Sequence, residues 1–233
     1  MRKILTVVIL LGLVAIALPM TAAALGLDVE AKGGAGIGLG STDNKAITGA
    51  ARFSAGGGVG LDFYLVNLGP ADLGISAGVE YSHSTFHYTW SNFAMPGEDQ
   101  TADATYGYLN IPISVVCKLP VTESVQVILR AGGFIGFFHA GYADLTYTVQ
   151  VPLFGLVNGR ETLDSSNTIL TAYGLHFTAG ADIALGSGIS LAPALQFDMG
   201  LTDITKNTQP LPGTFKDTLW ALTAMVGIKY SVL

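Results

Sequence analysis

The sequence predicts an all-β chain whose strands close into an eight-stranded antiparallel up-and-down transmembrane β-barrel, preceded by a signal peptide helix. Three observations predict this fold class. Apolar residues alternate with small or polar ones along eight segments, the period that sends neighbouring side chains to opposite faces of a strand. Short and long connections alternate between these segments. Half of the residues are apolar, yet beyond residue 24 no apolar run reaches the about 18 residues that indicate a membrane helix.

The first element is a secretory signal peptide. Arg2 and Lys3 precede an apolar run over residues 4–18, and small residues follow it, which is the three-part pattern of a cleaved export signal. The run is shorter than the roughly 20 residues that a membrane-spanning helix needs. We therefore expect export in a bacterium with two membranes, a signal peptide over residues 1–24 and an outer-membrane β-barrel domain over residues 25–233.

The eight predicted strands each carry large apolar residues on one parity and mostly glycine, serine, alanine or charged residues on the other. In chain order they occupy residues 27–39, 52–65, 73–82, 109–118, 125–135, 173–183, 189–199 and 219–232. The first two strands place glycines at alternate positions along their less apolar face. The fifth is the least regular, because Ile128 and Phe134 fall on its polar parity. The eighth alternates without interruption and is the clearest of the set.

Aromatic residues mark the ends of the apolar face in two of these strands. Phe53 and Phe63 lie ten residues apart on the second strand, and Trp220 and Tyr230 lie ten residues apart on the eighth. A tilted membrane strand needs about 9 to 11 residues, and aromatic side chains favour the two membrane interfaces. We expect these four residues to lie at the interfaces.

The connections predict which end of the barrel faces outward. Short turns are expected at 67–72, 120–124 and 186–188, and longer loops at 40–50, 87–104, 139–168 and 202–217. In outer-membrane barrels the short turns are periplasmic and the long loops extracellular. The aromatic residues of the two longest loops are candidates for recognition of a surface ligand: Tyr88, Trp90, Phe93, Tyr147 and Phe154.

Composition separates a membrane barrel from a soluble one. The less apolar face is mostly glycine, alanine and serine, which is too poor in charge for a solvated surface but suits a narrow barrel interior. Without Arg2 and Lys3 the chain has 9 basic and 17 acidic residues, a net charge of −8, which argues against a nucleic-acid partner. The single cysteine, Cys117, excludes an internal disulfide.

One strand carries a family resemblance. The run Tyr108-Leu109-Asn110-Ile111-Pro112-Ile113, followed by Lys118, resembles a strand found in many small outer-membrane β-barrel proteins. The glycine-rich first strand and the glycines between 131 and 136 are similar to that group as well. The chain thus resembles the OmpA/OmpW/OmpX-like superfamily of porin-type barrels. The resemblance implies outer-membrane location and contact with the barrel assembly machinery.

Charged residues on the small parity are expected to face the lumen. The set comprises Glu30, Lys32, Arg52, Asp62, Glu80, Lys118, Arg130, His176, Asp182, Asp198 and Lys229. Apart from the histidine these are five acids and five bases. A low dielectric favours pairing, so balanced charge predicts a network that fills and blocks the interior, whereas a selective pore is lined by one sign. The alternative is a gate in which Arg52 or Arg130 exchanges partners between Glu80 and Asp182.

Enzymatic and metal chemistry have little support in the sequence. His83, Ser84 and His87 lie near the outer end of the third strand, but adjacent residues of a strand point to opposite faces. A general base has to lie within about 3 Å of its nucleophile, and no Gly-x-Ser-x-Gly elbow occurs. The four histidines are scattered. We expect no catalytic residue, no metal site and no cofactor.

These observations favour a non-enzymatic function. We expect an integral outer-membrane barrel that is structural or surface-exposed and has narrow pore activity. Three alternatives stay open: an OmpW-like channel for small hydrophobic molecules, an adhesin that acts through its extracellular loops, and a lipid-modifying enzyme. The expected partners are outer-membrane lipid, the assembly machinery and host or surface ligands, with no nucleic acid, and the closed barrel is expected to be a monomer because it has no free strand edge.

Overall fold

The computed structural model describes residues 26–42, 47–91, 99–147, 157–163, 169–204 and 217–232. The predicted signal peptide, residues 1–24, lies outside these described residues. Within them the regular secondary structure is β-strand, and no helix has the length and hydropathy needed to cross a membrane. The strands are β1 (Gly26–Thr42), β2 (Ile47–Asn67), β3 (Asp72–Ser91), β4 (Asp99–Pro120), β5 (Val125–Tyr147), β6 (Val157–Leu163), β7 (Thr171–Gly186), β8 (Ile189–Gly200) and β9 (Asp217–Ser231).

The strands form a closed antiparallel ring. β1 pairs with both β2 and β9, and β4 pairs with both β3 and β5, so the sheet has no open edge there. β4 covers one edge of β5 along its whole length. The other edge pairs with β7 along residues 125–137 and with β6 along residues 141–147. β6 and β7 therefore share one position, and the ring has the eight positions that the sequence predicts.

The outward face of the ring is a continuous apolar belt. On β4 the outward residues run from Leu109 to Leu119, and Ile113 near their middle is 57% exposed. Such large apolar side chains avoid water only if lipid surrounds them. Phe53 and Tyr230 also face outward, with 60% and 51% of their surface exposed.

The other two predicted interface aromatics also lie on this outward parity. Phe63 is partly exposed and pairs in register with Ile75 of β3. Trp220 is partly exposed and packs edge-on against Phe197, with 6.1 Å between ring centroids. The four aromatic side chains thus lie on the face where the belt contacts lipid.

The short connections are the tight turns that the sequence predicts. Between β2 and β3, the Leu68 amide donates to the Ala71 carbonyl at 2.8 Å. Between β7 and β8, Gly186, Ser187 and Gly188 have φ angles of 106°, 55° and 75°. These positive φ values favour glycine, which explains the glycines on both sides of Ser187.

Several strands extend further than predicted, so the loops expected at 40–50, 87–104 and 139–168 are wrong in part. β1 continues to Thr42 and β2 already begins at Ile47. β3 continues to Ser91, β4 begins at Asp99 and β5 continues to Tyr147. In this extension, defined here as β3–β5 beyond the apolar belt, the polarity of the two faces is reversed. Phe86 is buried inside the ring, while its neighbour Thr85 lies on the outer face. A barrel wall that rises out of lipid into water requires polar residues outside and permits apolar ones inside.

The boundary of the belt can be tested with two arginine substitutions on β4. Ile113→Arg places a charge in the middle of the lipid-facing surface and should lower the free energy of unfolding by about 2–4 kcal/mol. Thr101→Arg, twelve residues away on the same outward parity, should cost less than about 1 kcal/mol because that position lies beyond the belt. Denaturant titration of the refolded protein in lipid vesicles measures both. Equal losses at the two positions would contradict the boundary.

Candidate functional site

The lumen contains ten of the eleven charged residues that the sequence assigns to it. They are Glu30, Lys32, Asp62, Glu80, Lys118, Arg130, His176, Asp182, Asp198 and Lys229. They come from eight different strands, because each strand contributes its inward parity to the same narrow interior. Their side chains form two clusters at different heights, which are called here the lower and the upper cluster.

The lower cluster centres on Asp62 of β2. Arg130 Nη2 donates to Asp62 Oδ2 at 2.7 Å and to Glu30 Oε2 at 2.6 Å, and Arg130 Nε donates to Asp62 Oδ1 at 3.1 Å. Lys229 Nζ donates to Asp62 at 3.2 Å and to Asp182 at 2.8 Å. Two cations thus share one carboxylate, and all five side chains are buried.

Arg130 joins opposite walls of the barrel. It stands on β5, and its partner Glu30 stands on β1, four positions away in a ring of eight. A side chain that reaches the far wall occupies the middle of the lumen. The salt bridge between Arg130 and Glu30 therefore crosses the interior at this height.

A further ion pair lies at the turn end of the lower cluster. Lys118 Nζ donates to Asp28 Oδ2 at 2.9 Å and lies 4.2 Å from the centre of the Tyr64 ring. The Tyr64 hydroxyl is 3.5 Å from Asp62 Oδ2. Tyr64 thus links this pair to the centre of the cluster through a cation–π contact.

The upper cluster surrounds Lys32 of β1. Lys32 Nζ lies 2.6 Å from Glu80 Oε1 and donates to Gln196 Oε1 at 2.9 Å. The amide nitrogen of Gln196 donates to Glu80 at 2.9 Å and to Asp198 at 2.8 Å. Gln196 thereby joins two carboxylates that would otherwise repel each other.

His176 completes the upper cluster on β7. Its Nδ1 lies 2.6 Å from Asp198 Oδ1, and its Nε2 lies 3.2 Å from the Thr178 hydroxyl. Both ring nitrogens therefore have a partner. The imidazole is buried, so this group serves the network and has no direct access to lipid.

Arg52 lies outside the lumen, which corrects the sequence-based placement. The register between β2 and β3 shifts between Ala51 and Ser54, and such a bulge changes which face the following residues occupy. The Arg52 side chain is 44% exposed, and its Nε donates to Asp103 Oδ1 at 3.3 Å. Asp103 also lies 2.9 Å from His87 Nδ1. Arg52 cannot take part in a luminal gate.

The pairing partners also differ from the proposed gate. Arg130 contacts Glu30 and Asp62, whereas Glu80 is paired with Lys32 and Asp182 with Lys229. Parity predicts which face a residue occupies but not its height in the barrel, so these partners could not be derived from the sequence.

Above the upper cluster the interior becomes apolar. Five inward residues of the extension, Phe86, Tyr88, Tyr106, Tyr108 and Phe138, form what is called here the aromatic cup. Their rings pack in pairs, with 5.6 Å between the centroids of Tyr108 and Phe138 and 6.0 Å between those of Phe86 and Tyr106. The cup was missed because Tyr88 was placed in a loop and the predicted strands ended short of the other four residues, although their alternation was visible.

The residues proposed for surface recognition are only partly described. Tyr88 was expected in an outward loop, but it lies in β3 with its side chain 4% exposed inside the cup. This corrects the prediction, because β3 runs on to Ser91 and in the extension its apolar side chains turn inward. Trp90 and Tyr147 lie in β3 and β5, and only their backbones are described, while Phe93 and Phe154 lie outside the described residues.

The histidine and serine residues near the outer end of β3 do not meet. His83 faces outward, whereas Ser82 and Ser84 face inward, and the Ser84 hydroxyl lies 2.7 Å from that of Ser54. The barrel wall separates the imidazole from both hydroxyl groups, so His83 cannot activate either. No group of three or more metal-ligating side chains occurs among the described residues.

Comparison with known proteins identifies a family. The family model described as "Outer membrane protein beta-barrel domain" matches residues 8–231. No curated protein matches the sequence. Similar solved structures include OprG from Pseudomonas aeruginosa, at 14% identity and a TM-score of 0.46, with 88% of this chain and 95% of that chain covered. Neisserial surface protein A is similar at 11% identity and a TM-score of 0.43, with 88% and 96% covered.

The shared carboxylate of the lower cluster predicts a large stability effect. Asp62→Ala leaves Arg130 short of a partner in the lumen and should lower the free energy of unfolding by about 3–5 kcal/mol. Asp72→Ala is the matched control, because Asp72 accepts a hydrogen bond from Asn67 at the exposed turn, and it should cost about 0.5 kcal/mol. Denaturant titration in vesicles gives both values. An Asp62 variant as stable as the Asp72 variant would show that the cluster does not stabilise the barrel.

Proposed function

Because the chain belongs to the family of outer membrane protein β-barrel domains, we propose that it is an outer-membrane barrel with a closed lumen that acts at the cell surface. In this proposal the barrel does not conduct solutes at rest. Its working part is the extension, where the barrel rises beyond the apolar belt. The observation that carries the proposal is the ion pair between Arg130 and Glu30, which spans the lumen from wall to wall.

A second, independent obstruction supports a closed lumen. The salt bridge between Lys32 and Glu80 joins β1 to β3 above the lower cluster, and Gln196 reaches into the same space from β8. Opposite charges are paired in both clusters. A water-filled channel lined by one sign of charge would be expected of an ion-selective pore.

The outer face of the extension supports a role at the surface. Its strands turn threonines and charged groups outward, among them Thr89, Thr101 and Asp103. These residues lie beyond the belt and are therefore available to partners outside the lipid.

A narrow conductance is the second candidate function, and one observation favours it. Asp62 accepts hydrogen bonds from both Arg130 and Lys229. Because Asp62 accepts from both cations, either Arg130 or Lys229 can move away while the other stays paired with a carboxylate. Repeated exchange of this kind would open a narrow path through the lower cluster.

Single-channel recording in a planar bilayer distinguishes the two candidates. We expect the unmodified protein to be silent. One double variant carries Lys32→Ala with Glu80→Ala, and the other carries Glu30→Ala with Arg130→Ala. Each loses one cation and one anion from a single cluster. Each should show no channel openings, because the other cluster still blocks the lumen. The four changes together should give steady openings.

The control removes an ion pair outside the lumen. Arg52→Ala with Asp103→Ala deletes the exposed pair and should leave the protein silent. The heat-dependent electrophoretic mobility of each variant reports whether the barrel has folded. Steady openings in the unmodified protein would favour the conductance instead, and a folded but silent fourfold variant would show that the charge clusters do not close the lumen.

A further inference from the structure

Carboxylates outnumber cations in the lower part of the lumen. The sequence predicts a balanced interior, but Arg52 lies outside the lumen and Asp28 lies inside it, with 1% of its surface exposed. One negative charge is therefore left without a cation of its own among the described residues, which is costly for a buried group. The lower part contains four carboxylates and three cations: Asp28, Glu30, Asp62, Asp182, Lys118, Arg130 and Lys229.

A cavity adjoins this excess charge at the short-turn end of the lumen. It is called here the vestibule, and its volume is about 200 Å³. Its lining includes Asp182 of β7, Gln126 of β5, Ser190 of β8 and Glu123 in the turn between β4 and β5. Short turns face the periplasm in outer-membrane barrels, so the vestibule is accessible from that side.

Asp182 presents an unused acceptor to the vestibule. Its Oδ2 accepts from Lys229 at 2.8 Å, and Lys229 also donates to Asp62, so the two carboxylates share this ammonium. Asp182 Oδ1 accepts no hydrogen bond from the described residues and is not among the fully enclosed unpaired atoms. Gln126 stands opposite Asp182 in register, yet no hydrogen bond joins the two side chains.

The other charged groups of the lining leave the vestibule negative. Lys118 lines it, but its Nζ donates to Asp28 at 2.9 Å and lies 4.2 Å from the centre of the Tyr64 ring. Glu123 is exposed at the rim, and no cation of the described part of the chain pairs with it. Two carboxylates thus face the vestibule, and its one cation is already engaged.

We propose that the vestibule binds the ammonium group of a small organic cation. The charge of the ligand compensates the excess carboxylate, and its N–H groups donate to Asp182 Oδ1 and to the oxygens of Gln126 and Ser190. A cavity of about 150 Å³ holds benzene, so the vestibule has room for an ammonium group with a short carbon chain. The described residues offer no group of three metal-ligating side chains, which favours an organic cation over a metal ion.

This inference goes beyond a closed surface barrel, because it assigns a ligand class to the end of the lumen opposite the extension. It requires only the carboxylates and the space beside them. A conducting lumen and a closed lumen would both retain the vestibule, so the binding site and the proposed function can fail separately.

Fluorine NMR titration of the refolded chain in lipid nanodiscs at neutral pH tests the site. The probes are 2-fluoroethylammonium and 2-fluoroethanol, which share a carbon chain and differ in charge. We expect a saturable shift with the ammonium ion and none with the alcohol, each measured relative to empty nanodiscs. Asp182→Asn keeps the shape of the side chain and removes its charge. It should raise the dissociation constant of the ammonium ion about 10- to 100-fold, the loss expected for a hydrogen bond to a charged group.

Two further variants separate the site from the fold and from general surface charge. Glu123→Gln changes an exposed turn residue and should raise the dissociation constant about two- to fivefold, as for an exposed ion pair. Asp72→Asn is the matched control, because Asp72 lies at the turn between β2 and β3, at the same end of the barrel but outside the vestibule. It should leave ammonium binding unchanged. Circular dichroism checks the folding of each variant.

Three results would overturn the proposal. Equal ammonium affinity in the unmodified protein and in folded Asp182→Asn would place the probe elsewhere. The absence of a saturable shift in the unmodified protein would mean that a proton or a salt ion compensates the excess charge. Displacement of the ammonium ion by a far lower concentration of Ca²⁺ would identify a metal site instead.

Discussion

The salt bridges that join Arg130 on β5 to Glu30 on β1 and Asp62 on β2 are the contacts on which the interior of this barrel depends. Lipid surrounds the middle of the ring, so a charged side chain at that height avoids lipid only by pointing into the lumen. In a ring of eight strands the lumen is narrow, and a guanidinium entering from one wall meets the carboxylates of the opposite wall. Pairing them satisfies both and places the salt bridges across the lumen.

The same constraint explains why the two faces exchange character along the strands. Within the belt, β4 presents Ile113 to lipid and keeps Ser114 inside. In the extension it presents Asp103 to water and keeps Ala104 and Tyr106 inside. Period-2 alternation persists along the whole strand. Only the medium outside the barrel changes, from lipid to water. The aromatic cup forms because burying apolar side chains inside a barrel that stands in water lowers the free energy of the folded state.

Alternation along a strand predicts which face of the barrel a residue occupies, but it does not reveal where a bulge interrupts the strand. The eight ring positions, the turn ends and the outward aromatics were predictable, since each depends on parity alone. Arg52 was misplaced because a bulge between Ala51 and Ser54 shifts that parity, and nothing in the local sequence marks it. Tyr88 was misplaced because the predicted strand ended at residue 82 and a loop was expected from residue 87, although the alternation itself continued.

The pairings within the lumen lay beyond sequence reasoning for a different reason. A contact such as that of Lys32 with Glu80 depends on register and strand tilt, which decide the residues that share a height in the barrel. Height also explains why the upper cluster and the cup adjoin. Asp198 lines the cavity at the base of the cup and accepts from Gln196, which donates to Glu80 as well. The hydrogen bonds of the upper cluster thus form the floor of the cup.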